Sequence, residues 1–255
     1  MNIREKVKEH LKEIEKKHEV KIIHAIESGS RSWGFPSPDS DFDVRFIYVH
    51  RKDWYLQVFA ERDVIEVPIS DELDIAGWDL KKAMYLAAKG NVVVHEWLNT
   101  PIIYQSHTKL YNELKSHIDK SFNPQAAFHH YRSMAKRALH DVKEQKEVKL
   151  KRFFYFMRAL LSARWILRNN SMPSVEFEYL LLNTDIEANY IEEIKNLVVL
   201  KSNMMESERL VIEEKLINYV ETLFENLSET QLGNTDLQKQ NWNQVLANIL
   251  KLESA

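Results

Sequence analysis

Apolar residues fall at Ile3, Val7, Leu11 and Ile14, the spacing of one helix face, so residues 2–17 are predicted to form an amphipathic helix. The pattern then changes period. Val20 to Glu27 is a short apolar run that stops at Ser28-Gly29-Ser30, which reads as a strand feeding a turn. Trp33 to Ser40 carries Pro36 and Pro38 and is predicted to be a loop. Asp41 to Val49 is a second strand, and Val64–Val67 and Leu73–Ala76 are two more, parted by a turn at Pro68. From Asp79 onward strand signals vanish and apolar residues recur every three or four positions. Helices are predicted at 79–88, 91–98, 107–118, 124–146, 149–169, 187–203, 207–227 and 236–252, with breaks at Asn123-Pro124 and Met172-Pro173. The expected fold class is α+β: a small sheet with flanking helices, followed by a helical C-terminal domain. The expected division is residues 1–110 and 111–255, with the boundary in the region 100–123.

Composition narrows the class. Hydrophobic residues make up 44% and charged residues 29%, which is ordinary for a globular chain with ample core. The sequence has no cysteine, so disulfides and thiolate metal sites are excluded. The charged segment Met1–His18 lacks the apolar core of a signal peptide, and no apolar run approaches the ~20 residues that cross a bilayer. The expectation is a cytoplasmic protein with no membrane partner. Charge is unevenly spread: residues 130–170 hold eleven Lys or Arg against three acids, within a chain of net charge −3. Such a basic band suits a polyphosphate or RNA, and its alternative reading is a pair of solvated helix faces.

The chemistry concentrates near the second strand. Asp41 and Asp43 stand two apart beside an apolar run, so strand alternation points them the same way. Like charges on one face repel unless a cation lies between them, and oxygen-only donors suit Mg²⁺ or Mn²⁺. Gly29-Ser30 upstream allows close backbone approach and phosphate contact, with Ser30 as a simple N-cap being the plainer alternative. Arg31 either reaches a phosphate or is exposed. Arg45 shares the carboxylate face, where it tunes metal affinity or pairs with Asp43. Trp33 and Phe35 either stack on a base or belong to the core. Glu66 and Asp74 each sit between apolar neighbours on a later strand, and spacing does not choose between them as a third carboxylate. No dinucleotide fingerprint, Walker loop or Gly-x-Ser-x-Gly element occurs, which argues against dehydrogenases, P-loop NTPases and serine hydrolases. The ten histidines, His129-His130 included, lack metal-site spacing.

The string Gly29-Ser30-Arg31-Ser32-Trp33-Gly34, then Asp41-Phe42-Asp43-Val44, resembles the DNA polymerase β-like nucleotidyltransferase superfamily. With Leu73-Asp74-Ile75-Ala76-Gly77-Trp78 and Glu96-Trp97-Leu98, it is similar to the nucleotidyltransferases associated with bacterial and phage RNA-repair operons. The resemblance runs over about residues 20–170 and implies a mixed catalytic sheet in residues 1–110. It implies that Asp41, Asp43 and Asp74 hold two Mg²⁺ or Mn²⁺ ions, with an NTP (ATP or CTP) as substrate. Gly29, Ser30 and Arg31 would contact the triphosphate. A Lys or Arg from a later helix would neutralise its outer phosphates, and Lys151, Tyr155 and Arg158 share one helix face at i, i+4 and i+7. The implied reaction moves a nucleoside monophosphate to a hydroxyl acceptor. The basic helices at 130–170, within the phosphate- and substrate-binding helices near 124–170, point to an RNA 3′ end resembling that of tRNA; a small molecule or protein acceptor, or an inactive nucleotide-binding fold, is the alternative.

Overall fold

Val20–Glu27 and Phe42–His50 pair as the antiparallel centre of the sheet, because each is an uninterrupted run of residues buried from one or both faces. The computed structural model describes residues 2–59, 61–68, 72–143, 147–228 and 241–254. The chain forms two compact units, the first from the described parts of 1–32, 41–122 and 237–255, the second from 33–40 and 123–236.

The first unit holds a five-stranded sheet made of β1 (Val20–Glu27), β2 (Phe42–His50), β3 (Val64–Glu66), β4 (Leu73–Asp79) and β5 (Ile103–Ser106). Their order is β3-β4-β2-β1-β5. β2 and β4 run parallel and the other pairs antiparallel, so the sheet is mixed. Alternation along β2 divides the core. Val44, Phe46 and Tyr48 pack with Val7, Leu11 and Ile14 of α1 (Ile3–His18), a helix opened by an Asn2–Glu5 capping box. Ile47 and Val49 face the other way, toward α3 (Leu80–Ala88), α4 (Val92–Asn99), α5 (Thr108–Lys120) and the helix Trp242–Glu253. Between β1 and β2 comes α2 (Gly29–Trp33), and a single 3-10 turn spans Lys52–Leu56.

The second unit contains α6 (Pro124–Lys143), α7 (Leu150–Asn169), α8 (Phe177–Asn183), α9 (Ala188–Asn203) and α10 (Glu214–Ser228), which makes Trp242–Glu253 α11. Its centre is α7, which buries Phe153, Phe154 and Phe156. Segment 33–40 contributes Phe35, stacked on Phe154 at 5.1 Å and edge-on to Phe177 at 5.4 Å.

The α+β class and the mixed sheet are as expected. Three elements differ. Strand signals do not end at Asp79: four-residue β5 pairs with β1, and four residues give alternation too little length to register. Residues 207–213 are not helical, because Leu210 bridges Val148 through two backbone hydrogen bonds of 2.8 and 3.1 Å. The seven-residue α8 is too short to leave a periodic signal. Residues 144–146 and 236–240, expected at helix ends, lie outside the described residues. Where a division at 110 was expected, α5 and α11 share one core with the sheet: Leu110, Leu114 and Ile118 meet Val245, Ile249 and Leu250.

Candidate active site at the Gly-Ser turn

β1 ends on Glu27, a residue only 1% exposed although it is an acid that terminates an apolar run. It accepts a hydrogen bond from the Asp43 amide at 3.0 Å and one from the Tyr104 hydroxyl. Burial raises its pKa, and the Tyr104 and Asp43 hydrogen bonds act in the opposite sense. Next along the chain, the Ser28 amide donates to the Asp43 carbonyl at 2.8 Å. Gly29 then takes a left-handed φ of 63°, and a Cβ built there would stand 2.1 Å from Asp43 Oδ2. Only glycine meets both demands, so the turn and the carboxylate interlock.

Parallel pairing places Asp43 opposite Asp74, and Val44 opposite Ile75. Both carboxylates therefore project from the same face on adjacent strands. Arg45, two residues on and on that face, lies between them: Nη2 is 3.2 Å from Asp43 Oδ1 and 2.7 Å from Asp74 Oδ2. Its Nη1 donates to the carbonyls of Val44 at 3.0 Å and Asp74 at 2.8 Å, which fixes the guanidinium plane.

Asp41 stands one residue before β2 and is exposed. Its carbonyl accepts from Arg31 Nε at 3.2 Å, and the Arg31 guanidinium lies 3.7 Å from the centre of the Phe42 ring. Ser30 is buried at 7% exposure. Glu66 is on the edge strand β3, paired with Ala76 and bonded to Arg62, so the register sets Asp74 rather than Glu66 beside Asp43. Among the described residues no three His, Asp or Glu side chains converge closely enough to hold a metal ion.

Lys151, Tyr155 and Arg158 belong to the second unit. Lys151 Nζ pairs with Glu206 at 2.6 Å. Tyr155 meets Trp33 edge-on at 5.1 Å, and both Lys151 and Tyr155 line a cavity of about 490 Å³ with Lys149, Arg152, Asp39 and Glu206. Arg158 is 3% exposed, with its guanidinium 4.3 Å from the centre of the Trp33 ring. Trp33 and Phe35 are themselves core residues. Several other members of the basic band meet acids of their own unit: Lys143 pairs with Glu221, Arg152 with Asp141, and Arg168 with Asp185.

Glu27 is the functional candidate that sequence reading missed. Its one signal is an acid closing an apolar run immediately before Ser-Gly-Ser. An acid at a strand end is usually solvated, so the pattern alone does not set it apart.

A mixed sheet with paired carboxylates on neighbouring strands, one of them locked against a Gly-Ser turn, is in keeping with a nucleotidyltransferase of the polymerase β type. The chain belongs to the RNA repair pathway DNA polymerase beta family (RlaP), whose profile matches residues 3–248. It is 38% identical over 227 residues to the uncharacterized protein YcgL of Bacillus subtilis (strain 168), covering 89% of this chain and 87% of that one. The crystal structure of a nucleotidyltransferase-like protein from Exiguobacterium sibiricum 255-15 is 11% identical, with a TM-score of 0.34 over 87% of this chain and 74% of that chain.

Proposed function

We propose that the protein is a metal-dependent nucleotidyltransferase that moves a nucleoside monophosphate from ATP or CTP to the 3′ hydroxyl of an RNA, releasing pyrophosphate. The observation that carries the reading is the bridge made by Arg45. One guanidinium nitrogen reaches both Asp43 and Asp74, so the carboxylate pair already gathers positive charge at the point where a cation is needed.

The donor type suits a hard divalent ion, since all are carboxylate oxygens, and the third donor would have to close in on the Asp43–Asp74 pair for three to converge. Asp41, Asp43 and Asp74 would hold two Mg²⁺ or Mn²⁺ ions, which when bound supply Lewis-acid charge to the attacking hydroxyl and the leaving pyrophosphate. The protein's own contribution is placement. Glu27 fixes the Asp43 backbone, and the absent Gly29 side chain lets the turn approach the carboxylate. Gly29, Ser30 and Arg31 offer backbone and side-chain donors to phosphate at that turn. Lys151 and Tyr155, with Lys149 and Arg152, offer a second set of donors in their own cavity; Arg158 supports that wall by packing on Trp33. The family description favours RNA as acceptor, and the reading is of a cytoplasmic enzyme. No helix among the described residues is long and apolar enough to cross a membrane.

The test is label transfer. The protein and its Asp43→Ala/Asp74→Ala variant are incubated with Mg²⁺, each α-labelled NTP in turn and total RNA, and then RNA, protein and small molecules are separated. Label on RNA with the intact protein alone is the expected result. Label on protein or on a small molecule would replace the RNA acceptor, and equal transfer by the variant would remove the mechanism.

A further inference from the structure

A cavity of about 660 Å³ opens in the sheet unit away from the Asp43–Asp74 pair. Tyr48, in its lining, is five residues beyond Asp43 on β2, about 16 Å along the strand at ~3.3 Å per residue. An odd separation puts the two side chains on opposite faces of the sheet. The cavity is thus on the α1 face and does not share a wall with the carboxylate pair.

Three features of the lining suit one kind of guest. First, His50 and Trp54 stack face to face, with centroids 4.1 Å apart and planes 10° apart. Burial lowers the His50 pKa, which favours the neutral ring, and the pair forms a flat aromatic platform. Second, Tyr48 is fully buried, and its hydroxyl has no hydrogen-bond partner. An unpaired buried hydroxyl costs about 1–3 kcal/mol, a penalty relieved when a guest's polar edge displaces the atoms that now cover it. Burial raises the pKa of this phenol, so it keeps its proton and remains a donor. Third, the rim carries both signs: carboxylates from Glu19, Asp53, Glu61, which accepts from Trp54 Nε1 at 3.1 Å, and Glu66, which pairs with Arg62, and guanidinium groups from Arg51 and Arg62.

A simple anion is opposed by four carboxylates, and a simple cation by two arginines. An apolar guest leaves the Tyr48 hydroxyl unsatisfied. A planar heteroaromatic with donors and acceptors on its edge meets all three conditions: its face extends the His50–Trp54 stack, and its edge reads the rim. We propose that this cavity is a nucleobase-binding site, separate from the carboxylate pair, that selects bases bearing an exocyclic amino group. Carboxylates accept from such amino groups, and uracil has none. The volume lies within the ~300–1,000 Å³ range of small-molecule sites, and stacking on aromatic side chains is how proteins hold unpaired bases. The base arrives either on a free nucleoside or nucleotide or as an unpaired residue of RNA. The proposal deepens the nucleotidyltransferase reading and rests on it for the choice of ligand class.

Calorimetric titration in EDTA tests it, with adenosine, cytidine, guanosine and uridine as probes and a short unpaired RNA such as AAA alongside. Nucleosides carry no phosphate, so donors to phosphate elsewhere add nothing to the signal. The expected result is binding of at least one amino-bearing nucleoside, uridine at least tenfold weaker, and at least tenfold loss in Trp54→Ala. Tyr48→Phe, which deletes one hydroxyl, should bind severalfold more weakly with an unchanged or raised melting temperature. Asp43→Ala/Asp74→Ala should bind as the parent does. An RNA affinity at least tenfold above that of adenosine assigns the site to RNA; the reverse assigns it to a free nucleoside or nucleotide. Absence of binding by every probe, binding that Trp54→Ala leaves intact, or uridine binding as tightly as the others overturns the proposal. Because no probe is turned over, a protein that binds nucleosides here yet transfers no label loses only the transferase reading.

Discussion

Asp43 and Asp74 occupy matching positions on parallel neighbouring strands, and a single nitrogen of Arg45 lies 3.2 Å from one carboxylate and 2.7 Å from the other. Two like charges at paired positions destabilise a sheet, and the guanidinium offsets that repulsion. Both carboxyl side chains are about a third exposed, so the pair is also open to an ion from solution.

Arg45→Ala therefore uncovers the repulsion. The expected cost is about 1–2 kcal/mol in EDTA, in line with loss of hydrogen bonds to charged groups. Added Mg²⁺ should raise the melting temperature of the variant more than that of the parent. Thermal melts of both proteins with EDTA and with Mg²⁺ decide the matter; an equal Mg²⁺ response in the two would show that Arg45 does not occupy a cation's place.

Gly29→Ala is expected to be costly at once to fold and function. The left-handed backbone costs about 1 kcal/mol for any residue with a Cβ, and the methyl group collides with Asp43 Oδ2. Transfer should drop at least tenfold as Asp43 is displaced. A variant with parental activity in the label assay would mean that Asp43 is free to move aside without consequence.

Glu27 separates by substitution. Glu27→Ala leaves the Asp43 amide and the Tyr104 hydroxyl without their acceptor inside the protein, and should cost about 2–4 kcal/mol. Glu27→Gln keeps an oxygen for the Asp43 amide and should cost roughly half as much. Urea denaturation of the three proteins gives the order directly; Gln as damaging as Ala would point to the charge rather than the hydrogen bonds.

Acid should loosen the sheet unit. His24, stacked on Tyr111 at 4.3 Å, and His95 are buried, and burial lowers both to about 4 from 6.5. A depressed histidine pKa means that the unfolded chain takes up the proton first. The stabilisation is complete above pH 6.5 and lost as pH falls toward 4, by at most about 3 kcal/mol per histidine. Asp79 acts in the opposite sense: burial raises it to about 6 from 3.8, so its contribution is complete below pH 3.8 and lost as pH rises through 6. His95→Gln should flatten the stability profile between pH 6.5 and 4.5, and Asp79→Asn should steepen it. Denaturation midpoints across that range check both signs.

Alternation made the Asp43 face legible in the sequence, but it left Glu66 and Asp74 equivalent. Only strand order separates them: Asp74 is on the strand beside β2, and Glu66 is one strand further out. Which strands pair is a long-range fact that no local pattern carries. The same limit hid β5, four residues long, and the docking of α11 on α5. Helix periodicity gave Lys151, Tyr155 and Arg158 a common face but not its surroundings, and Arg158 is spent on the indole of Trp33. Charge counting found the basic band without the acids that meet it from elsewhere in the same unit. Burial of Glu27 depends on Tyr104, from a strand 77 residues away.

The shared core of α5 and α11 also has a consequence in time. A ribosome delivers Gly29, Asp43 and Asp74 early, but Val245, Ile249 and Leu250, which complete the core around β1 and β2, follow only after the whole second unit. All the residues of the second unit have emerged before that core can close. The nascent carboxylate pair therefore belongs to an unfinished domain until α11 docks, and a message cut short before Trp242 yields a chain with all its candidate catalytic residues and an open core.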